Sequence, residues 1–233
     1  ALYHANGERI INADGSYYAL QGNKDLGNIL PDWNGGFSFD VSYKNFSLGT
    51  FIEFQKGGKF YSITRMFNAY SGLGAQTVGT NNLGNPVRNP VLDSDGQPLD
   101  EGVSIPLEDA HPTSGGGYLE GVDVDGNDVA YLFTASEYYT EKFFDKEAWL
   151  EDASYNKLRE VELTYNLSTN TLSRLPLRRA SVSLVVQNPF LIYASVDGVD
   201  PSAIQNNATG FGFWEGGTTP GTRSIGFNVN LGF

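Results

Sequence analysis

Residue types able to do chemistry are few and scattered in this chain. It has 233 residues, with two histidines and no cysteine. His4 and His111 each lack a neighbouring ligand cluster, whereas a zinc site needs three or four close N, S or O donors at a recognisable spacing. Absence of cysteine excludes a thiolate metal site, a disulfide framework and a cysteine nucleophile. No GxSxG elbow, P-loop or GxGxxG in a strand–turn–helix context is present. The chain is therefore read as non-enzymatic and without a resident cofactor. The best cation candidate is Asp123-Val-Asp125-Gly-Asn127-Asp128. There, alternating carboxylates around a glycine turn would suit calcium, a hard cation that takes six to eight oxygens. The distal glutamate of an EF-hand is missing, and a bare acidic turn is the competing reading. Three short matches to the glycosylation sequon, at Asn45, Asn166 and Asn207, carry little information.

Composition narrows the class. Fifteen basic against 27 acidic residues give a net charge of -12 and a pI near 4.5. Nucleic-acid binding needs a basic face, so that charge argues against it. Aromatics at 13% argue against disorder. Many glycines and aromatics, one methionine and 18% charged residues favour β structure. The opening ALYHANGERI has neither a basic n-region nor an apolar h-region and reads as a processed or truncated end. No apolar run approaches the 18 residues of a membrane helix. A mean hydropathy of -0.29 leaves a membrane β-barrel open, because barrel strands need only about 10 residues of alternating polarity.

That alternation is present. Segments 36–44, 46–55, 157–167 and 224–233 alternate strictly, and 180–188 does so with Val185 as the exception. On the first, Phe37, Phe39, Val41 and Tyr43 oppose Ser38, Asp40 and Ser42. On the last, Ile225, Phe227, Val229, Leu231 and Phe233 oppose Gly226, Asn228, Asn230 and Gly232. The small, polar second face suits lipid outside and a wet lumen inside. Links alternate in length. Lys44–Asn45 is a tight turn, 168–179 is modest and holds Arg174, Arg178 and Arg179, and 56–156 and 189–223 are long. Residues 91–128 hold ten acidic residues, no Lys or Arg, and Gly115-Gly116-Gly117, and read as a solvated loop rather than a core element. A helix is expected near 135–147, with Thr134 and Glu137 at capping-box spacing and a stripe of Tyr138, Tyr139, Phe143 and Phe144. No internal repeat is apparent.

Three stretches resemble the C-terminal part of SusC/RagA-type TonB-dependent outer-membrane transporters. They are Asn28–Leu48, including Pro31-Asp-Trp-Asn-Gly-Gly-Phe37 and Ser42-Tyr-Lys-Asn-Phe46; Leu150–Tyr165, with Glu151-Asp-Ala-Ser-Tyr155 and Leu158-Arg159; and Gln187-Asn-Pro-Phe190 followed by Gly198-Val-Asp-Pro201. The second is the most specific. The resemblance implies an all-β fold: about five strands of a large antiparallel barrel, 22-stranded in the family, with long extracellular loops and one short loop helix. It implies import of glycans or peptides, a SusD-like surface lipoprotein, energy from TonB–ExbB–ExbD through a missing N-terminal part, and a bacterial outer-membrane location. Expected partners include the rest of the barrel, its plug and the barrel-assembly machinery, the last reading Phe227, Val229, Leu231 and Phe233.

If Phe233 ends in the periplasm, strand parity puts 1–35, the acidic loop 56–156 and loop 189–223 outside. The strand pair 36–55 and the strands of 157–233 then form wall. Loops on a rigid scaffold carry binding, which makes Phe211, Phe213 and Trp214 candidates for substrate or lid contact. The alternative is a soluble secreted β-sandwich, a glycan-binding or adhesin module.

Overall fold

The computed structural model describes residues 3–4, 7–17, 25–173, 176–203, 205–206, 213–216 and 221–233. In chain order its elements are β1 (Trp33–Tyr43), β2 (Phe46–Lys56), β3 (Lys59–Ser62), α1 (Ile63–Tyr70), β4 (Ser104–Pro106), β5 (Gly117–Val122), β6 (Asp128–Phe133), α2 (Ala135–Phe144), β7 (Leu150–Asp152), β8 (Tyr155–Asn166), α3 (Thr169–Leu172), β9 (Arg179–Ala194), β10 (Gln205–Asn206), β11 (Phe213–Glu215) and β12 (Ser224–Gly232). They form two compact units. One comprises residues 1–26 and 63–150, the other 27–62 and 151–233.

The second unit is built on a five-stranded antiparallel sheet in the order β1-β2-β8-β9-β12. All five alternating segments are strands of it. Side chains alternate faces along a strand, so register decides what each face carries. Here the register aligns apolar residues in rows across every strand. One row is Val41, Leu48, Leu163, Leu184 and Phe227, and the next is Phe39, Thr50, Val161, Val186 and Ile225. Tyr43, Phe46, Tyr165, Val182 and Val229 make a row nearer the turns. The opposite face is polar or small: Ser42, Ser47, Thr164, Ser183 and Asn228, then Asp40, Gly49, Glu162, Val185 and Gly226. Val185, the exception to the alternation, thus sits among small and polar neighbours. The apolar face is uncovered, and Phe227 is 78% exposed.

Two details depart from expectation. β9 runs to Ala194 rather than ending at 188, so the following loop is shorter than 189–223. Asn188 (φ 49°) and Pro189 together oppose the single residue Arg159. Proline has no N–H to give to a ladder, and a bulge is where a sheet tolerates it. Similarly, β1 starts at Trp33, inside the expected 1–35 loop.

A four-stranded sheet in the order β10-β11-β3-β7 completes this unit. Phe60 is fully buried, packed with Ala153, Val196 and Val199.

The first unit corrects the reading of 91–128 as a solvated loop. β4, β6 and β5 form a three-stranded sheet there. Ile11, Leu119 and Phe133 pack into a core edged by Tyr17, Val129, Tyr131 and Tyr138, and Val91, Val122 and Leu132 are buried as well. The acidic residues belong mainly to its turns. Four fully described five-residue turns, 12–16, 81–85, 93–97 and 123–127, share one bonding pattern, and His4, Gly7 and Glu8 make the same bonds. The first residue donates its N–H to the carbonyl of the fifth and accepts from the N–H of a glycine in fourth place, at 2.8–3.1 Å. These glycines have φ between 77° and 89°, the left-handed region that closes a three-residue hairpin loop. This is the internal repeat not apparent before, spaced irregularly along the chain.

The triplet Gly115-Gly116-Gly117 is buried rather than solvated. A Cβ at Gly115 would lie 2.2 Å from the Asn89 carbonyl oxygen, and one at Gly116 would lie 2.1 Å from that of Phe133. The buried Asn81 amide donates to the carbonyls of residues 114, 115 and 116. The expected helix is α2, with Thr134 accepting from the Glu137 N–H. Its stripe is split: Phe143 stacks against Phe67 and Tyr70, while Phe144 is exposed. Beyond the helix Asp145, nearly buried, takes an ion pair from Arg9. Burial opposes the Arg9 charge, but the Asp145 carboxylate outweighs it and raises the guanidinium pKa.

Gly116→Ala combines a positive φ with a backbone clash and is expected to cost about 3 kcal/mol or more. Gly84→Ala has a similar φ (81°) in open space and should cost about 1 kcal/mol. Protease resistance of residues 63–150 in the intact protein would rank the two.

Candidate functional site

The chain leaves the five-stranded sheet from the Lys56 end of β2 and re-enters it at the Tyr155 end of β8. At that end the polar face gathers a cluster of charged groups. Its cause is local. Phe51 pairs with Glu160 and Ile52 with Leu158, which leaves Arg159 as an extra residue on β8. A bulge re-aims side chains, and here it brings Arg159 to Glu53. Arg159 Nε donates to one carboxylate oxygen of Glu53, and the Tyr155 hydroxyl donates to the other at 2.6 Å. Arg159 Nη1 also donates to Asn188 Oδ1 at 3.1 Å.

Lys157, opposite Glu53 in the register, turns to the following loop. Its ammonium reaches Asp200 Oδ2 at 2.5 Å and Ser202 Oγ at 2.8 Å, and its side chain is 7% exposed. The Asn188 amide donates to the Thr222 carbonyl at 3.4 Å. Both roots of the 195–223 segment, at 200–202 and at 222, are therefore tied to β8 through Lys157, Arg159 and Asn188. Burial pushes the Asp200 carboxyl up, but hydrogen bonds from Lys157 and Ser202 outweigh it and hold it below the usual carboxylate range. The ion pair joins two of the motif stretches, Leu150–Tyr165 and Gly198–Pro201. Their separation of 43 residues hides that contact from any local pattern.

The other expected site residues are placed differently. Phe211 and the side chain of Phe213 lie outside the described residues. Trp214 is half-buried, and its backbone pairs with Tyr61 and Gln205, so it stands on a strand rather than in a free loop. Beside it Ser62 Oγ donates to Glu215 at 2.7 Å. Asp123 heads the turn 123–127. Its oxygens accept from the N–H groups of Asp125 and Asn127 and from the Asn127 amide. Those bonds, the Asn127 side chain first, hold its carboxyl below the usual range. Among the described residues no three His, Asp or Glu are grouped to hold a metal ion. Asp123 and Asp125 sit in a hairpin turn that Asp123 itself caps, and Asp128 is the first residue of β6. His111 bonds Thr113, and the His4 ring faces Gly126. Phe227, Val229, Leu231 and Phe233 are exposed. Two concavities of about 450 and 610 Å³ flank β6, lined by Glu108 and Asp128 and by Glu8, Glu120 and Asp128.

The tie between Lys157 and Asp200 is testable. A carboxyl with a depressed folded pKa contributes stability above the ordinary aspartate range and loses it as pH falls through the folded value. Asp200→Asn should speed amide exchange at 198–203 about tenfold or more at pH 7, given about 1.5–3 kcal/mol for hydrogen bonds to charged groups. In the unmodified protein the same amides should open only in acid. Exchange mass spectrometry at pH 7 and below 4 would check both.

No protein-family model matches the chain. Over 240 aligned residues it is 25% identical to TonB-dependent receptor P26 of Formosa agariphila, covering the whole chain and 19% of that receptor. In structure it superposes on the RagAB peptide importer. The "closed-closed" state gives a TM-score of 0.51 at 18% identity over 96% of this chain and 20% of that one. The "open-open" state gives 0.52 at 17% identity over 97% and 20%. The chain thus spans about a fifth of the length of the proteins it matches. Those proteins are named as a receptor and a peptide importer. With its meandering sheet and one apolar face, the chain has the fold of a partial barrel wall, and in sequence it is similar to a stretch of a TonB-dependent receptor.

Proposed function

We propose that this segment forms wall and outer loops of an outer-membrane importer of nutrients, glycans or peptides, energised through TonB. The observation that carries this reading is the apolar band running across all five strands, opposite a polar face. A β-sandwich would cover that band with a second sheet. Here Phe37, Phe39, Val41, Tyr43, Leu163, Val182 and Phe227 are all exposed. A hydrocarbon surround supplies the missing cover. The wall needs neighbours, because β1 and β12 end the sheet with unpaired ladders, and each unpaired backbone group costs several kcal/mol in lipid. The rest of a barrel and a plug against the polar face would complete it.

The RagAB importer, whose states are described as open and closed, supports a partner lipoprotein of SusD type over the outer loops. The strand parity that puts the Lys44 turn in the periplasm puts the Asp200 loop and the acidic 91–128 segment outside. Phe211, Phe213 and Trp214 would then meet substrate or lid.

Three tests bear on this. Phe227→Arg, on the apolar face near mid-strand, should destabilise the assembled barrel by about 2–4 kcal/mol, whereas the neighbouring Asn228→Arg should be tolerated. Urea unfolding in lipid vesicles would measure both, and equal effects would argue against a membrane wall. Next, Ser94→Cys should label with an impermeant maleimide on intact cells and Asn170→Cys should not; the reverse would invert the topology. Finally, Trp214→Ala should reduce uptake, and unchanged uptake would remove Trp214 from the contact surface.

A further inference from the structure

Two helices of the unit formed by residues 1–26 and 63–150 leave one face open. In α1, Met66 and Ala69 are buried, whereas Phe67 and Tyr70, on the adjoining side, are exposed. In α2, Tyr139 is buried and Tyr138 packs against the core around Ile11, so the opposite arc is left partly or wholly exposed. By the 3.6-residue period that arc runs from Phe143 through Thr140 and Phe144 to Glu137 and Glu141. The rings join across the two helices. Phe143 lies 5.3 Å from Phe67, 4.8 Å from Tyr70 and 5.3 Å from Phe144, centroid to centroid. Phe144 is 75% exposed. A run of apolar rings open to water marks a contact surface.

Glu137 and Glu141 are four residues apart and so neighbours on that arc, with Phe144 beside them. Neither has an ion-pair partner among the described residues. The cation of the same helix, Lys142, is turned elsewhere, its ammonium 4.8 Å from the Tyr138 ring centroid. Burial first, then the charges of Glu137 and Asp14, raise the Glu141 carboxyl above the usual range, so the Asp14 carboxylate is a near neighbour too. Like charges at this spacing repel, and the surroundings are negative: residues 63–150 hold 14 acidic residues and four basic. The face is an aromatic ledge beside crowded carboxylates that lack a cation. An anionic lipid surface would be repelled by it. A neutral glycan would stack on the rings but bring no charge to the carboxylates.

We propose that the α1–α2 face captures a cationic peptide ahead of import, the ring ledge seating a large apolar side chain while Glu137 and Glu141 pair with a neighbouring Lys or Arg. The inference rests on the reading of the chain as part of an importer, and it narrows the cargo from glycans or peptides to peptides. The spacing suits an extended chain. Side chains two residues apart in such a chain lie on one side at about 6.6 Å. That is close to the Cβ separation of about 5–6 Å between residues three or four apart on a helix, as Glu141 and Phe144 are. The negative field of the unit speeds the encounter with a cation, and the rings attract it as well.

The experiment titrates the full-length transporter that carries this segment, purified in detergent, into dansyl-Phe-Ser-Lys-Ser-Phe-Ser-Lys-amide. That peptide sets phenylalanine and lysine alternately along one side. Fluorescence anisotropy should show saturable binding that weakens as salt rises. The same peptide with glutamine for lysine should bind at least five-fold more weakly. Glu137→Gln/Glu141→Gln should weaken binding of the lysine peptide about five-fold, as two partly exposed ion pairs allow, and Phe144→Ser about three-fold. Glu101→Gln/Glu108→Gln removes the same charge from exposed positions elsewhere in the unit and should change binding less than two-fold. Because Glu137→Gln/Glu141→Gln relieves repulsion, its unfolding midpoint should not fall, so the lost binding reads the face and not the fold. No binding by the unmodified protein would overturn the proposal, as would equal binding of the lysine and glutamine peptides. So would unchanged affinity in Glu137→Gln/Glu141→Gln, or an equal loss in the Glu101/Glu108 control. Displacement by maltohexaose would assign the ledge to a glycan, and blockage by an equimolar SusD-like lipoprotein would assign it to the lid; either would overturn the peptide. The importer reading fails separately: undiminished uptake of the peptide by cells lacking the transporter would remove import and leave the binding face standing.

Discussion

Hydrocarbon offers no hydrogen bonds, and the rest of this structure follows from that. Every N–H and C=O of a strand in lipid must find a neighbouring strand, so the ladder fixes register before any side chain is consulted. Register in turn fixes the faces, because a one-residue slip moves every side chain across the sheet. From β1 to β12 the pairing keeps Val41, Leu48, Leu163, Leu184 and Phe227 in one row. Ser42, Ser47, Thr164, Ser183 and Asn228 keep to the other side. The rows cross the strands in chain order, as an up-and-down wall requires. The unit containing 63–150 is inserted where the chain leaves β3 and before it returns through β8, and so leaves the ladder unbroken.

That unit obeys different constraints. It has a small core, and much of its order comes from tight turns. Each of the four repeated turns satisfies its own backbone through a glycine in the left-handed region and a side chain that accepts from the loop. Asn81, Asp93 and Asp123 do this with one oxygen shared between two N–H groups. Acidic residues are thus structural at the turn and solubilising outside it. The strongly negative charge belongs to this architecture, while the turns at the far end of the sheet are basic.

The strands were legible because period-two alternation is a direct imprint of a sheet with two different solvents. The continuation of β9 was not. Asn188-Pro189 breaks alternation and looks like a strand end, yet a bulge absorbs both residues opposite Arg159. The glycine triplet misled for a related reason. Three glycines mark flexibility or close approach equally well in sequence, and only the Asn89 and Phe133 carbonyls decide between them. The turn repeat escaped notice because its copies share a bonding pattern and one glycine, with neither fixed spacing nor fixed residues. At the site, the motif stretches were recognisable, but the pairing of Lys157 with Asp200 depends on tertiary folding across 43 residues.

Why an ion pair, rather than an apolar contact, should root the loop at 200–202 follows from the same two faces. An apolar anchor on the lipid side would compete with acyl chains and gain little from burial there. On the polar side it would place apolar surface among Glu53, Tyr155 and Arg159 and leave their charges without partners. A buried pair contributes little net stability, because desolvation offsets attraction. It does, however, demand a specific partner at a specific place. Lys157 meets that demand with two acceptors, Asp200 and Ser202, while Arg159 and Asn188 hold the other root at Thr222. The bulge makes this possible. Without the bulge, Arg159 would follow the alternation onto the apolar face, and Glu53 would lose the cation that balances it. A single inserted residue in β8 thus carries the wall from its lipid-facing order to the polar anchorage of the loop.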